Sequence, residues 1–217
     1  MITVAAHPLL DLGALTIELP QPLASIPTPD SIRTLFTGDA TPGFERGEEV
    51  RALVRDLLRA GGYKPTGRGK PSSEYLARAV SEGAVPSINV VVDACNAWSF
   101  LSGLPVSVVD RDLLGEPLRV DLAAEGSRYV FNASGQEIDA SYLLGLHDAA
   151  GPCANAVKDA QRTKTGPTTR RALALIWGHR ELSDRTSRVT RAIRSSLESA
   201  GAVCAELQLA VERADTR

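Results

Sequence analysis

INVVVDACNAWSFLSGLPVSVVD, residues 88–110, is the stretch that decides the predicted fold. The apolar, β-branched run before Asp93 predicts a buried strand, and the residues after it predict a short helix. Asp93 is a favourable N-cap because its carboxylate can accept hydrogen bonds from the free backbone N–H groups of a first turn. The GLP turn then leads to a second strand that ends at Asp110. Polar groups at element ends beside apolar walls are typical of concave sites, although such residues also simply cap and turn a chain.

Composition predicts a globular protein with a substantial core. The chain has 217 residues, of which 43% are hydrophobic and 23% charged, and these fractions are ordinary for a soluble domain. We expect one domain over 1–217, with N-terminal strands and a proline-rich connection in 1–45, a core in 46–180 and a C-terminal helix in 184–213.

The N-terminus and the cysteines point to a reducing compartment. The first ten residues, MITVAAHPLL, carry no basic group before their apolar residues, and no run of the sequence approaches the length of a membrane span. The three cysteines, Cys95, Cys153 and Cys204, lack the CxxC spacing of a zinc site. We therefore expect a cytoplasmic protein without a membrane segment, a disulfide framework, a metal or another cofactor.

Hydrophobic periodicity divides the rest of the chain into helices and strands. The clearest helix is 47–60, GEEVRALVRDLLRA, whose apolar residues share one face and which a Gly-Gly pair ends. A second helix follows Pro71 and ends at Gly83, and a long helix covers 186–211 with a kink or a break at Gly201. Strands are predicted within 2–19, 118–123, 128–132, 142–147 and 172–177.

Two segments are predicted to be irregular. Residues 21–44 contain four prolines and form connecting chain, with a short helix after Asp30. Residues 151–170 are polar and rich in small side chains, with too few apolar residues for a core strand. Strands in the middle of the chain with helices on either side predict an α+β fold rather than a doubly wound sheet.

Positive charge is concentrated in two places. The net charge of the whole chain is −2, but residues 158–194 hold ten Lys/Arg against three Asp/Glu, a local net charge of +7. The loop 63–71, YKPTGRGKP, adds three basic residues among glycines and prolines, which predicts an exposed and mobile connection. Basic zones on a nearly neutral protein favour an anionic partner such as nucleic acid, although a solvated helix face has the same composition.

The sequence contains none of the standard catalytic motifs. It lacks a Walker loop, GxGxxG, HExxH and GxSxG, and its three histidines, His7, His147 and His179, are scattered. These absences exclude the usual nucleotide hydrolases, metallohydrolases and serine hydrolases. Closely spaced hydroxyl, amide and ammonium groups in 93–110 and 151–169 favour binding of a small polar ligand or the end of an RNA strand, where they can orient a water and stabilise an oxyanion.

These motifs, in this order, resemble the tRNA-editing module formed by the third and fourth domains of the phenylalanyl-tRNA synthetase beta subunit. The shared pattern consists of an apolar stretch, Val92-Asp93, Asn96, a helix, Gly103-Leu104-Pro105 and a strand ending in Asp110. This chain is more similar to free-standing proteins that contain only this module. Three of its segments indicate this: 70–79 (KPSSEYLARA), 131–139 (FNASGQEID) and 151–165 (GPCANAVKDAQRTKT). The resemblance covers roughly residues 50–180.

The resemblance implies a layered α+β fold of mixed β-sheet and helices. It also implies hydrolysis of a mischarged aminoacyl-tRNA ester by a water positioned in a pocket between two subdomains. Where the synthetase pattern carries a histidine three residues before Asp110, this chain has Ser107. A serine hydroxyl still binds a substrate or a water, and the change implies a smaller or different aminoacyl group than tyrosine. The chain lacks aminoacylation motifs and an ATP site, so it is not a complete synthetase.

We therefore predict a tRNA-binding protein that removes a mischarged amino acid in trans. The predicted catalytic residues are Ser107, Lys158 and Asp159, and the water-orienting role stays open between Ser107 and Asp159. The predicted substrate-binding residues are Asn96, Asp110, Asn155, Thr163 and Thr165. The predicted RNA-binding residues are Lys64, Arg68, Lys70, Arg162, Lys164, Arg170 and Arg171.

Two other functions remain open at this point. One is a non-catalytic RNA-binding module, which the absence of the histidine and of an evident general base favours. The other is a protein that binds or acts on a free small metabolite, because a fold does not fix a function. A homodimer is a further expectation, with the strand of Trp177 and the C-terminal helix as its contacts.

Overall fold

The computed structural model describes residues 1–37, 43–44, 46–182 and 184–213. The α-helices are α1 (Asp30–Arg33), α2 (Glu48–Arg59), α3 (Ser72–Ser81), α4 (Val90–Ser102) and α5 (Arg185–Ser199). The strands are β1 (Ile2–Val4), β2 (Leu10–Glu18), β3 (Val106–Asp110), β4 (Leu118–Leu122), β5 (Arg128–Val130), β6 (Glu137–Asp139), β7 (Leu144–Asp148), β8 (Gly151–Asn155), β9 (Arg171–His179), β10 (Val203–Glu206) and β11 (Leu209–Val211). Short 3-10 helices cover Leu23–Ser25, Thr34–Thr37, Gly67–Gly69, Arg111–Leu113, Gln161–Thr163 and Arg180–Leu182. The fold is α+β.

The strands form two main sheets and a separate hairpin. One sheet has five strands in the order β11, β1, β4, β7, β8, and the other has four in the order β10, β2, β9, β3. β1 pairs in parallel with β4 and β11, whereas the other pairs are antiparallel. β5 and β6 form the hairpin. The five-stranded sheet is therefore mixed, since it contains both parallel and antiparallel pairs. Its parallel pairs join strands that are far apart in the sequence.

Strand β9 faces two cores because its side chains alternate between the two sides of its sheet. Leu175 and Trp177 pack into a core shared with the five-stranded sheet. Ala174 and Ile176 belong to a second core that includes apolar residues of α4 and α5. The layers are thus helices, the four-stranded sheet and the five-stranded sheet. Trp177 is 0% exposed, so its side chain lies inside the protein and not on a surface where a second copy would bind.

The predicted strand before Asp93 is wrong, because these residues begin helix α4. The N-cap is Asn89, whose side-chain oxygen accepts a hydrogen bond from the Val92 N–H at 3.0 Å. Val90 and Val91 are buried in the second core. Packing of these valines therefore outweighs their preference for strands, which depends strongly on context.

Asp93 is not the N-cap that we predicted. It lies in the first turn of α4 and is buried, with 3% exposure. Its carboxylate accepts the Ile88 N–H at 2.8 Å and the hydroxyl groups of Thr28 and Ser87 at 2.5 and 2.6 Å. Asp93 therefore attaches the proline-rich connection to the start of α4 instead of capping the helix.

Helix α5 is shorter than predicted, because it ends at Ser199. Gly201 has a φ of +90°, a conformation that favours glycine and ends the helix. The residues beyond it form β10, which pairs with β2, and β11, which pairs with β1. The C-terminal part of the predicted helix is therefore wrong, and it supplies an edge strand to each main sheet instead.

The segment 151–170 also differs from its prediction, since its first five residues form the edge strand β8. Small side chains allow close packing here, as a Cβ added to Gly145 of the neighbouring β7 would lie 2.7 Å from the Ala154 carbonyl oxygen. The pattern of the sequence does not predict β6, whose three residues are mostly exposed. The other predicted helices and strands are confirmed within a few residues of their ends.

Helices α2 and α3 hold the loop between them at the surface. Arg55 of α2 and Glu74 of α3 form an ion pair with two hydrogen bonds of 2.6 Å, and their side chains are 22% and 15% exposed. Bidentate ion pairs of this kind fix the relative orientation of the two side chains as well as the distance between them. This ion pair fixes the two helices at either end of the connection from Gly62 to Gly69, and the connection forms one wall of a groove.

Candidate functional site

A groove of about 650 Å³ lies between the α2–α3 connection and the β5–β6 hairpin. One wall comes from residues 62–69, the other from residues 131–141, and Lys158 contributes from the segment after β8. We call this cavity the basic groove. Its lining residues are Gly62, Tyr63, Lys64, Thr66, Arg68, Gly69, Phe131, Gln136, Glu137, Ile138, Asp139, Ser141 and Lys158.

Lys158 is held in the groove by an aromatic ring. Its ammonium group lies 3.9 Å from the centre of the Phe131 ring, which is a cation–π contact. Burial lowers the pKa of Lys158, and the charges of Arg68 and Lys164 lower it further. A partly buried cation that is repelled by other cations is stabilised by an anion, so the groove favours a ligand with a phosphate or another negative group.

A hydrogen-bond network fixes the backbone that carries Lys158. The Tyr129 hydroxyl donates to the Lys158 carbonyl and accepts from the side-chain amide of Asn155. The Asn155 side-chain oxygen accepts the N–H groups of Val157 and Lys158 at 2.9 and 3.0 Å. Burial raises the pKa of Tyr129, which keeps its hydroxyl protonated. Asn155 is thus placed to shape the loop that presents Lys158.

Ser107 lies at the junction of the two main sheets. Its side chain is buried, donates to the Asn155 carbonyl at 2.9 Å and accepts from the Trp177 indole N–H at 2.9 Å. These contacts connect β3 with β8 across the junction. Ser107 is close to Asn155, as the sequence predicts, but it lies behind the network and does not line the groove.

Asp159 is partly buried beside this junction. One carboxylate oxygen accepts the Val108 N–H at 3.1 Å, and the other accepts the Asn155 N–H at 3.2 Å. Burial raises the pKa of Asp159 to about 6, although its hydrogen bonds oppose that shift. The structure therefore brings Ser107, Asn155, Lys158 and Asp159 together, with Lys158 as the member that lines the groove.

Two of the predicted substrate-binding residues have structural partners. Asp110 is buried, caps the short helix that follows β3 by accepting the Asp112 N–H, and accepts the Thr169 hydroxyl at 2.5 Å. Thr163 is 0% exposed, and its hydroxyl lies 3.3 Å from the Cys153 carbonyl oxygen. Both residues lie outside the basic groove.

Two further predicted substrate-binding residues, Thr165 and Asn96, also lie outside the basic groove. Thr165 accepts the side-chain amide of Asn89 at 3.3 Å, and both residues line a different cavity of about 480 Å³ at the start of α4. Asn96 is partly buried on α4. Of the substrate-binding set, the structure therefore brings Asn155 alone to the Lys158 network.

The predicted RNA-binding residues divide into two groups. Lys64 and Arg68 are exposed and line the basic groove. Within the described parts of the chain, neither has an acidic partner within ion-pair distance. Lys70 is partly buried just before α3 and does not line the groove. The first group therefore supplies free positive charge.

The second group is engaged by the protein itself. Arg162 pairs with the buried carboxylate of Asp148 through two contacts of 2.7 Å, and Arg171 pairs with Asp112. Lys164 donates to the Phe131 carbonyl at 2.5 Å, and burial lowers its pKa. The guanidinium of Arg170 donates to the Pro20 carbonyl.

Sequence reasoning missed the aromatic side chains around the groove. Three of the four tyrosines of the chain belong to this site. Tyr63 lines the groove, Tyr75 lines a cavity beside it, and Tyr129 supports Lys158. One signal for them is the loop sequence YKPTGRGKP, in which an aromatic residue directly precedes a basic one.

The described residues contain neither a metal centre nor a membrane-spanning helix. In 1–37, 43–44, 46–182 and 184–213, no three His, Cys, Asp or Glu side chains are grouped so that they could hold a metal ion. None of the helices in these ranges is both long and apolar enough to cross a bilayer.

Comparison with known proteins assigns the family. Residues 63–201, well over half of the chain, match the family described as B3/4 domain. The chain belongs to the B3/4 domain family. The matched range of this B3/4 protein includes the loop of Lys64 and Arg68, the hairpin and Lys158, and so it contains the whole groove except Gly62. No curated protein matches the B3/4 chain.

A solved structure shares the fold of this B3/4 protein. It is an N-terminal fragment of the phenylalanyl-tRNA synthetase beta-subunit from Pyrococcus horikoshii, with a TM-score of 0.51 and 9% sequence identity. The alignment covers 97% of this chain and 52% of that one, so the B3/4 chain spans about half the length of the fragment. At this identity the likeness establishes the fold alone, and it confirms the fold class that the motifs predicted.

Proposed function

We propose that this B3/4 protein binds the aminoacylated end of a tRNA in the basic groove and hydrolyses the ester of a mischarged amino acid in trans. The observation that carries the proposal is the groove itself, which combines the cations of Lys64, Arg68 and Lys158 with the aromatic rings of Tyr63 and Phe131. Family membership and the synthetase neighbour support tRNA as the nucleic acid.

Cations and aromatic rings together suit an unpaired nucleic acid end. Lysine and arginine neutralise phosphates and release their counterions, and every base can stack on an aromatic face. A cavity of about 650 Å³ has room for a nucleotide with an amino acid attached. The proposal therefore places the 3′ end of the tRNA in the groove and its paired stem outside.

Lys158 and Asp159 have complementary properties for ester hydrolysis. We assign to the Lys158 ammonium the stabilisation of the oxyanion, because it lines the groove and its backbone is fixed by Tyr129 and Asn155. With a pKa of about 6, Asp159 is mostly ionised at pH 7 and still able to accept a proton from water. Its oxygens accept two backbone N–H groups and also interact with the Ser107 hydroxyl, which leaves one lone-pair site of the carboxylate for a water.

Ser107 is assigned a positioning role in the same proposal. Its hydroxyl already has one acceptor, the Asn155 carbonyl, and one donor, the Trp177 indole. A water would have to compete with these buried partners, whereas the Asp159 carboxylate keeps a lone-pair site beyond its contacts with Ser107 and the two backbone N–H groups. The choice between the two predicted water-orienting residues therefore favours Asp159.

A non-catalytic RNA-binding module is the second candidate. It is favoured by the position of Asp159, which is next to Lys158 in the sequence but is not part of the groove lining. In that case the groove binds tRNA and the ester is not cleaved.

Deacylation of a panel of mischarged tRNAs tests both candidates. Release of amino acid and affinity for tRNA are measured for the wild type, Lys158→Met, Asp159→Asn and Arg191→Ala. Arg191 is an exposed residue of α5 outside the groove and serves as the control. We expect the wild type to release one amino acid or a small set. Lys158→Met should weaken both binding and release, whereas Asp159→Asn should slow release at least tenfold with affinity kept within about threefold.

The outcomes separate the candidates. Saturable tRNA binding without release of any amino acid would select the second candidate. No affinity for tRNA at low salt would overturn both, since charge neutralisation is strongest there. Release that is unaffected by Lys158→Met and Asp159→Asn would remove these residues from the mechanism.

A further inference from the structure

A second cavity adjoins the basic groove. It measures about 280 Å³ and shares Arg68, Phe131, Gln136 and Lys158 with the groove, so these side chains form the boundary between the two spaces. Its far wall is Tyr75 of α3, whose residue surface is 40% exposed. We call this cavity the Tyr75 compartment.

The two spaces differ in charge. The described lining of the Tyr75 compartment contains the cations of Arg68 and Lys158 and no acid. The basic groove contains Glu137 and Asp139 in addition to its cations. The end at Tyr75 therefore favours a nucleotide, whose phosphate these cations can neutralise, and the other end also accepts a positive group.

Glu137 is the acid that is free to bind a ligand cation. Hydrogen bonds from the hydroxyl and the N–H of Ser141 lower the pKa of Asp139, and Arg128 lies 3.7 Å from its carboxylate. Glu137 is exposed and has no such partner within the described residues. An ammonium group in the groove would therefore meet Glu137 without displacing an internal partner.

Tyr75 provides an open aromatic face with a fixed orientation. Its hydroxyl donates to the Gly67 carbonyl at 2.9 Å, so the end of the side chain is attached to the loop that carries Arg68. One face of the Phe131 ring is already occupied by the ammonium of Lys158. Stacking on Tyr75 is therefore the way in which this compartment would hold a flat, uncharged group.

We propose that the Tyr75 compartment holds the terminal base of an unpaired RNA strand, and that the part of the groove beside Glu137 holds the ammonium-bearing group attached to that nucleotide. The inference rests on the proposed function and adds to it the direction in which the ligand lies. Lys158, at the boundary, is then beside the bond that joins the base-bearing sugar to the aminoacyl group.

Binding of a short RNA without an amino acid tests the first half. The probe is a single-stranded RNA tetranucleotide with a 3′-terminal adenosine, measured with the wild type, Tyr75→Ala, Tyr75→Phe and Tyr142→Ala. Tyr142 is a matched control, because it is 41% exposed and lies outside both linings. We expect Tyr75→Ala to raise Kd about tenfold, and Tyr75→Phe and Tyr142→Ala to stay within about twofold of the wild type.

Two results would overturn this half. If Tyr75→Phe loses as much affinity as Tyr75→Ala, the attachment to Gly67 matters and the ring does not. If Tyr75→Ala binds like the wild type, the base lies elsewhere.

Binding of an aminoacylated analogue tests the second half. The probe is the same RNA with an amino acid joined to its 3′ end through a stable amide, in one form with a free α-amino group and in another with that group acetylated. We expect the wild type to prefer the free amine severalfold and Glu137→Gln to lose that preference. Tyr75→Ala should weaken both forms and keep their ratio. An unchanged preference in Glu137→Gln would contradict the assignment.

Failure of this inference is distinguishable from failure of the proposed function. None of these measurements requires hydrolysis, so an inactive protein still reports the orientation. If the wild type binds none of the probes, the groove is not an RNA site and the proposed function fails with the inference. If it binds them without the expected effects of Tyr75→Ala and Glu137→Gln, the orientation alone is wrong.

Discussion

The two basic regions of this chain, residues 64–70 and 162–171, have similar compositions but different roles in the fold. In the first, Lys64 and Arg68 are exposed on a groove wall. In the second, Arg162 and Arg171 are paired with acids of the protein itself. Local charge counts therefore identify positive residues without telling whether their charge is available to a partner.

The difference arises from where the partner acids lie. The carboxylate of Asp148 is 1% exposed and would be unstable there without a counter-charge, so the fold uses Arg162 to neutralise it. The acids that line the groove opposite the glycine-rich loop, Glu137 and Asp139, are exposed instead. The predictions below compare the two regions, beginning with the largest effect.

Arg162→Ala should destabilise the protein more than any other change in these regions. It leaves the Asp148 carboxylate buried without its partner, and we expect the free energy of unfolding to fall by about 2–3 kcal/mol. This is less than for a fully buried pair, because the Arg162 side chain is 36% exposed. Urea unfolding measures the change.

A double variant provides the control for this pair. Asp148→Asn combined with Arg162→Ala should lose less stability than the two single changes added together, because the second change removes the unpaired charge. Additive losses would mean that the two residues do not stabilise each other.

The pH dependence of stability should distinguish Asp159 from Asp148. Burial raises the pKa of Asp159 above that of an unfolded chain, so its ionisation destabilises the fold as pH rises from about 4 to about 6. At about 1.4 kcal/mol per pH unit, the penalty accumulated over this pH range is about 3 kcal/mol. The free energy of unfolding of Asp159→Asn, taken relative to the wild type, should therefore be higher at pH 7 than at pH 4. Urea unfolding at both pH values measures it.

Asp148 should show the opposite dependence. Burial by itself would raise its pKa, but the hydrogen bonds from Arg162 and from two backbone N–H groups lower it overall. Its ionised form thus contributes stability above about pH 4, which is lost as pH falls through its lowered pKa. Asp148→Asn should cost more at pH 7 than at pH 2. If both variants showed the same pH dependence, the opposite effects assigned to ionisation of Asp159 and Asp148 would be wrong.

Arg68→Ala should affect binding and leave stability almost unchanged. Its side chain is exposed on the groove, so we expect unfolding to change by less than about 0.5 kcal/mol. Affinity for tRNA should fall severalfold, and the dependence of log K on log salt should become shallower by about one unit. A titration at several salt concentrations measures the slope, and an unchanged slope would place the phosphates elsewhere.

Arg171→Ala should have the smallest effect and is the matched control for Arg68→Ala. Its pair with Asp112 is at the surface, with side chains 55% and 42% exposed, and water screens such pairs so that they contribute little. We expect neither stability nor the salt slope to change appreciably. A loss of tRNA affinity equal to that of Arg68→Ala would show that both regions contact the RNA.

The parts of the fold that could be predicted from the sequence are those set by neighbouring residues. Helix α2 follows from its apolar stripe and from the glycines at its end. Helix α4 could not be predicted in the same way, because its start depends on packing of Val90 and Val91 and on contacts of Asp93 with a segment 65 residues away. Local preference and tertiary packing disagree there, and packing decides.

The candidate site shows the same limit. Lys64, Arg68 and Lys158 could be predicted as basic residues, but their convergence with Phe131 depends on how three distant segments meet. Ser107 could be placed beside Asn155 from the family pattern, whereas its burial depends on the indole of Trp177. Patterns in a single sequence do not show which distant residues become partners in the fold.

The pairing of the last strands with the first has a consequence for synthesis of the protein. β1 lies between β4 and β11, and β2 lies between β9 and β10, so both early strands keep an open edge until residues 203–211 have left the ribosome. An open strand edge is a template for pairing with other chains. A chain that lacked residues 203–211 would therefore display two unpaired strand edges at once, one in each main sheet.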